Sequence, residues 1–164
     1  MTQYNIIAEN EEYTVVSEYE TVYGAPDQYQ SEAALEKDFI KTLTEQGYEY
    51  LPIHTEKDLV DNLRAQLQKL NNYTFTDAEW ERFFNESIAN KNDGIEAKTT
   101  KIQEDFIQVL KTDTGESKNI YLIDRKNIHN NYLQVINQYE EGGGIHDTRY
   151  DVSILVNGLP LVHI

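Results

Sequence analysis

The most constraining stretch of this sequence is its last fifteen residues, Tyr150 to Ile164. There two apolar runs, Val152-Ser153-Ile154-Leu155-Val156 and Leu159-Pro160-Leu161-Val162, flank Asn157-Gly158. Asn-Gly accepts the positive φ angles that a two-residue hairpin turn demands, so the segment reads as two antiparallel strands. A hairpin alone is marginal in water and needs further strands or a helix to cover its apolar face. The rest of the chain must therefore supply a sheet and something to pack on it.

Helical periodicity supplies the cover. Ser31 to Gln46 reads as a helix with Leu35, Phe39 and Leu43 at i, i+4 and i+8, Ile40 beside them, and Gly47 as its stop. A second helix opens at Thr55, with Thr55 and Asp58 as a capping box and Leu59, Leu63, Leu67 and Leu70 as its stripe. A third opens at Thr76, with Glu79 three residues on, and carries Trp80, Phe83, Phe84 and Ile88. From Gln103 the period shortens. Phe106 to Lys111, Asn119 to Asp124 and Leu133 to Tyr139 are short, β-branched and aromatic runs, broken by Asp113-Thr114-Gly115 and Gly142-Gly143-Gly144. The pattern predicts one α/β domain over 1–164, with a mixed central sheet flanked by helices and a helical insertion over 51–100.

Composition narrows the function classes. With 14 Lys+Arg against 29 Asp+Glu, the net charge is -15, the wrong sign for a domain that grips nucleic acid unaided by releasing phosphate counterions. Such a chain acts on DNA only if other parts hold the duplex, or it imitates DNA with its own carboxylates. No apolar run approaches the roughly 18 residues of a membrane span, and Met1 to Tyr13 lacks the basic-then-apolar order of a secretory leader. The absence of Cys removes thiolate sites and suits a reducing compartment, so a cytoplasmic protein with no membrane partner is expected.

Most candidate chemistry has a simpler structural reading. Gly142-Gly143-Gly144 has no following Lys-Ser/Thr and reads as a turn rather than a phosphate loop. His54, His129, His146 and His163 show no zinc spacing, and His163 reads as a packed or surface residue. Trp80, Phe83 and Phe84 sit at core spacing, and Glu11-Glu12 and Glu140-Glu141 read as solvated pairs. Asp151 differs, because a carboxylate entering an apolar strand must be paired, for instance with Arg149, or sit at a hydrated strand end, or bind a metal.

Three blocks decide how Asp151 is weighed: Arg149 to Val162, Ser31-Glu32 through Leu35-Glu36 to Gln46-Gly47-Tyr48-Glu49, and Asn119-Ile120-Tyr121-Leu122-Ile123-Asp124. In order and spacing they resemble the nuclease core of the R (restriction and motor) subunit of type I restriction enzymes, most of all the group lettered C. The resemblance implies a restriction-endonuclease-like fold of the PD-(D/E)xK superfamily, in which Asp151 matches the catalytic, metal-binding Asp. Glu36 matches an acid that the first helix often turns toward the metal, with Glu32 one turn earlier as its substitute; otherwise Glu36 is an ordinary exposed helix residue. The family's Glu-x-Lys would begin immediately after Ile164, so the sequence is expected to be an amino-terminal fragment, inactive by itself. It would also lack a later helix bearing Gln and Tyr, the two ATP-driven motor domains and the region that docks on the methyltransferase.

The intact enzyme would cleave double-stranded DNA with Mg²⁺ after ATP-driven translocation, alongside methyltransferase (M) and specificity (S) subunits. Two close carboxylates holding Mg²⁺ would supply a nucleophile and charge stabilisation, with the Lys on the water. The competing reading is an acidic DNA mimic or inhibitory binding protein. Face parity in the hairpin bears on the choice. To carry the next acid to the face of Asp151, the turn should be a three-residue one with Leu155 opposite Leu159 and positive φ at Gly158, or a bulge beside Asp151 should correct the phase.

Overall fold

The computed structural model describes residues 5–9, 14–17, 31–141 and 148–164, with side chains for 31–139 and 151–164. The chain divides into two units, Met1–Ser31 and Glu32–Ile164. In the first, β1 (Asn5–Glu9) and β2 (Thr14–Ser17) pair antiparallel with an irregularity between Ile6 and Ala8. Glu11-Glu12, Gly142-Gly143-Gly144 and His146 lie outside the described residues, as do the side chains of Glu140, Glu141 and Arg149.

The second unit is an α/β fold. Helix α1 (Glu32–Glu45) ends where Gly47 takes φ +96°, a left-handed stop that lets Tyr48 N–H close back on the Leu43 carbonyl. The short strand β3 (Glu49–Tyr50) follows, then α2 (Glu56–Asn71), α3 (Asp77–Phe83), a single π-helical turn at Phe84–Ile88, and α4 (Ile95–Gln103). Strands β4 (Ile107–Lys111) and β5 (Ser117–Tyr121) form a hairpin of their own. The main sheet has the order β3, β6 (Leu133–Glu141), β7 (Thr148–Val156), β8 (Leu159–His163), with β3 parallel to β6 and the other neighbours antiparallel.

Pleat alternation assigns the faces of this sheet. Val135 and Val152 face α1 and pack on Leu43, with Phe39, Ile40 and Ile154 around them. Ile136 and Leu155 point the other way and pack with Ile53, Leu51 and Leu59 of α2. Helices thus cover both faces. A second core joins Leu63 and Leu67 of α2 to Phe75, Trp80 and Phe83 and to Leu110 and Ile120 of the β4–β5 hairpin. The aromatic trio of the third helix is core, with Phe75 stacked on Phe83 at 5.7 Å between centroids.

Two details of the helices depart from the sequence pattern. Leu35 is 52% exposed, because the stripe α1 turns to the sheet is Glu36, Phe39/Ile40 and Leu43, one position out of phase. At α2 the Thr55 hydroxyl caps Asp58 N–H, but the short Asp58 carboxylate accepts from that hydroxyl, not from the Thr55 amide. The complete capping box is at α3, where Glu79 is long enough to reach the Thr76 N–H.

The hairpin turn contains two residues, with φ +52° at Asn157 and +82° at Gly158, and Val156 lies opposite Leu159. The three-residue alternative, with Leu155 opposite Leu159, is therefore not adopted; Leu155 faces Pro160. Asn157 selects the tighter turn because it is buried and fully used. Its side chain accepts from Tyr132 N–H and donates to the Leu122 carbonyl and to Asn131 Oδ1, and its own N–H bonds the Tyr132 carbonyl. The phase is then shifted on β8, where Leu161 is an extra residue between the Leu155–Pro160 and Ile154–Val162 pairs.

Candidate functional site

Asp151 is exposed and lies in β7, the strand between β6 and β8. Regular alternation would place it on the face opposite its neighbour Val152, away from α1. The ladder is not regular there: Asp151 N–H and Val152 N–H both reach the carbonyl of Ile164, at 3.1 Å each. Two consecutive residues opposing one is the signature of a β-bulge, which suspends alternation and re-aims the side chain. On the other flank, Gln138 stands in the register position facing Asp151 and takes φ +52°. Beyond it Tyr139 packs with Ile136, three residues back, which a regular strand would send to the opposite face. The pleat is broken on both sides of Asp151.

One row away, on the α1 face, Glu36 reaches the sheet. It is half-buried, and its Oε1 accepts a 2.6 Å hydrogen bond from Nδ2 of Asn137, the residue paired with Val152. Asn137 Oδ1 in turn accepts from the Tyr50 hydroxyl at 2.8 Å, across the parallel β3–β6 pair. Glu32, one turn earlier, is exposed. Asn137 and Tyr50 were not singled out by sequence reasoning. The signal available was an Asn inside the strand run Leu133 to Tyr139, where a polar residue on a covered face needs a partner.

Among the described residues the histidines do not converge. His54 and His129 are exposed, and His163 is an exposed strand residue whose Nδ1 lies 2.8 Å from the Ser153 hydroxyl. Among the described residues no group of three or more His, Asp or Glu could hold a metal ion. Mg²⁺ commonly takes one or two carboxylates from a protein while keeping waters and substrate oxygens, and Asp151 in the bulge and Glu36 on Asn137 are donors of that chemical type. Oxygen donors of this kind suit a hard cation, and the Asn137 bond leaves Oε2 of Glu36 outside that hydrogen bond.

Other charged groups serve the fold. Glu79 is buried and accepts from Asp113 N–H, Thr76 N–H and the Tyr73 hydroxyl; the two backbone donors hold its carboxyl below the ordinary value, Asp113 foremost. Asp124 is lowered likewise by Asn127 N–H first and the Asn130 amide next, which closes the loop before β6.

A mixed four-stranded sheet between helices, with an acid at a bulge in an inner strand, defines an α/β domain of restriction-endonuclease-like architecture. The family model described as Type I restriction enzyme R protein N terminus matches residues 29–164, and the chain belongs to that family. It is 46% identical to the Type I restriction enzyme EcoprrI endonuclease subunit of Escherichia coli, over 96% of this chain and 50% of that protein. It is 36% identical to the SsaAORF53P endonuclease subunit of Staphylococcus saprophyticus and 37% identical to the SauCOLORF180P endonuclease subunit of Staphylococcus aureus strain COL. Each of those matches covers 83% of this chain and 14% of the relative, so the chain spans half or less of the curated relatives it matches. Among the described residues no helix is long and apolar enough to cross a membrane.

Proposed function

We propose that the chain forms the amino-terminal nuclease region of a type I restriction R subunit. In the whole protein Asp151 is catalytic and, with Glu36, holds Mg²⁺ for cleavage of double-stranded DNA. The observation that supports this reading is the bulge at Asp151, which suspends the alternation that would send this inner-strand acid away from the face where Asn137 anchors Glu36. A bound Mg²⁺ would neutralise charge on the scissile phosphate and acidify a water. The chain's own residues would supply two hard oxygen donors, Asp151 from β7 and Glu36 from α1, and the net charge of -15 leaves the DNA grip to other parts. Those parts are the ATP-driven motor and the M and S subunits, and residues 51–100 are a helical insertion.

The chain alone, with only Asp151 and Glu36 proposed as metal donors, should not nick DNA in Mg²⁺. The test is Asp151→Asn in the whole R subunit assembled with its M and S partners. Cleavage should be lost while ATP hydrolysis and DNA binding persist. Cleavage at the wild-type rate would overturn the reading.

A further inference from the structure

We propose that Asn137, oriented by Tyr50, is the positioning residue that presents Glu36 to a divalent cation shared with Asp151; this rests on the metal reading above. The direction of the chain of hydrogen bonds follows from its end group. A carboxylate offers only acceptors, so the Asn137 amide must turn its NH₂ toward Glu36. Its oxygen then faces Tyr50, whose hydroxyl supplies the proton for the second bond. Turning the amide round would set Oδ1 against Oε1 of Glu36, acceptor against acceptor.

The arrangement does more than dock a helix. Glu36 is the polar member of the stripe that α1 turns to the sheet, where its neighbours are apolar. The hydrogen bond consumes Oε1 and leaves Oε2 available, so one oxygen is held and the other is presented. Partners of this kind behind a metal-binding carboxylate change metal affinity by about 10- to 100-fold when removed. Because Asn137 pairs with Val152, the anchored oxygen lies one residue pair from the bulge at Asp151.

The test uses Mn²⁺ alone on the 164-residue chain, followed through the millimolar range by paramagnetic broadening of the amide signals around Asp151 and Glu36, with thermal unfolding of each variant in parallel. Asp151→Asn and Glu36→Gln should each weaken Mn²⁺ binding. Asn137→Leu should weaken it by about 10-fold, and in the Glu36→Gln background it should add nothing further, because it acts only through that carboxylate. Tyr50→Phe, which keeps the ring and removes the proton donor, should weaken binding by a smaller factor at unchanged Tm. If Asn137→Leu does not fold, Tyr50→Phe carries the test, and wild-type affinity in that variant overturns the proposal. Additive losses from Asn137→Leu and Glu36→Gln, or an unchanged Kd for Asn137→Leu beside a weakened Asp151→Asn, overturn the positioning role and leave the metal reading intact. Wild-type affinity in Asp151→Asn, or no local broadening in the wild type, overturns both.

Discussion

Gly158 stands so close to α2 that a β-carbon on it would lie 2.6 Å from the Cα of Leu63. The hairpin turn is thus pressed backbone to backbone against a helix, and the contact ties the main sheet to the second core through Leu63 and Leu159. Substituting Gly158→Ala imposes both the left-handed penalty at φ +82° and a clash with a main chain that cannot swing aside. The expected loss is about 2–4 kcal/mol, read as a lowered urea midpoint at unchanged m-value.

Asn157 should be comparably sensitive for a different reason. Asn157→Ala strands the Leu122 carbonyl and the Tyr132 N–H inside the protein, at about 1–3 kcal/mol for each group left unsatisfied. Asn157→Asp should be worse than its shape suggests, since it sets a carboxylate oxygen against the Leu122 carbonyl and Asn131 Oδ1. Chemical denaturation of the two variants should rank both well below wild type; an Asp variant of wild-type stability would refute this account of the turn.

Glu79 gives the fold an acid limit. Its carboxyl is held below the ordinary 4.5 by the N–H groups of Asp113 and Thr76, against burial, which pushes it up. A group more acidic in the folded chain contributes stability that is complete above its unfolded pKa and fades as pH falls through the folded value. Glu79→Gln should therefore cost about 1.5–3 kcal/mol at neutral pH, where charged hydrogen bonds are lost. The gap to wild type should narrow from about pH 4.5 downward, as protonation makes the wild type resemble the variant. Urea midpoints across that range check the sign; a gap that widens in acid would refute it.

Gln66 offers a substitution in the opposite direction. It is 4% exposed, donates to Asn62 Oδ1, and leaves Oε1 without a hydrogen-bond partner. Gln66→Met keeps the length and removes the unmatched acceptor, while Asn62 Oδ1 retains Gln134. The change should be neutral to stabilising by up to about 1 kcal/mol. A drop in Tm of several degrees would show that Oε1 is satisfied in solution, for example by a buried water.

What the chain discloses locally was readable, and what it settles by tertiary pairing was not. Helices at 32–45, 56–71 and 77–83 carry caps and periodic apolar residues, and Asn157-Gly158 carries its own turn geometry. The two-residue strand Glu49–Tyr50 gains its identity only by lying parallel to β6, and α4 has no buried residue to announce it. Nor does any local pattern separate the β4–β5 hairpin from the main sheet. Of the proposed site, Asp151 and Glu36 stood out because residue type and resemblance marked them. Asn137 and Tyr50 did not, since a neutral amide and an exposed Tyr acquire a role only from what lies across two strands.

The extra residue in β8 makes chain length and facing separable quantities in this hairpin. Because Leu161 has no partner on β7, it acts as a half-step inserted into a two-step rhythm, and everything after it is read in the opposite phase. Deleting it would leave a regular ladder with Val162 still opposite Ile154 and His163 opposite Ser153, whereas a regular ladder at the present length would set Leu161 opposite Ile154 and Val162 opposite Ser153, parting His163 from that serine. One leucine in mid-strand thereby lets β8 carry an extra residue while Val162 and His163 keep their places opposite Ile154 and Ser153.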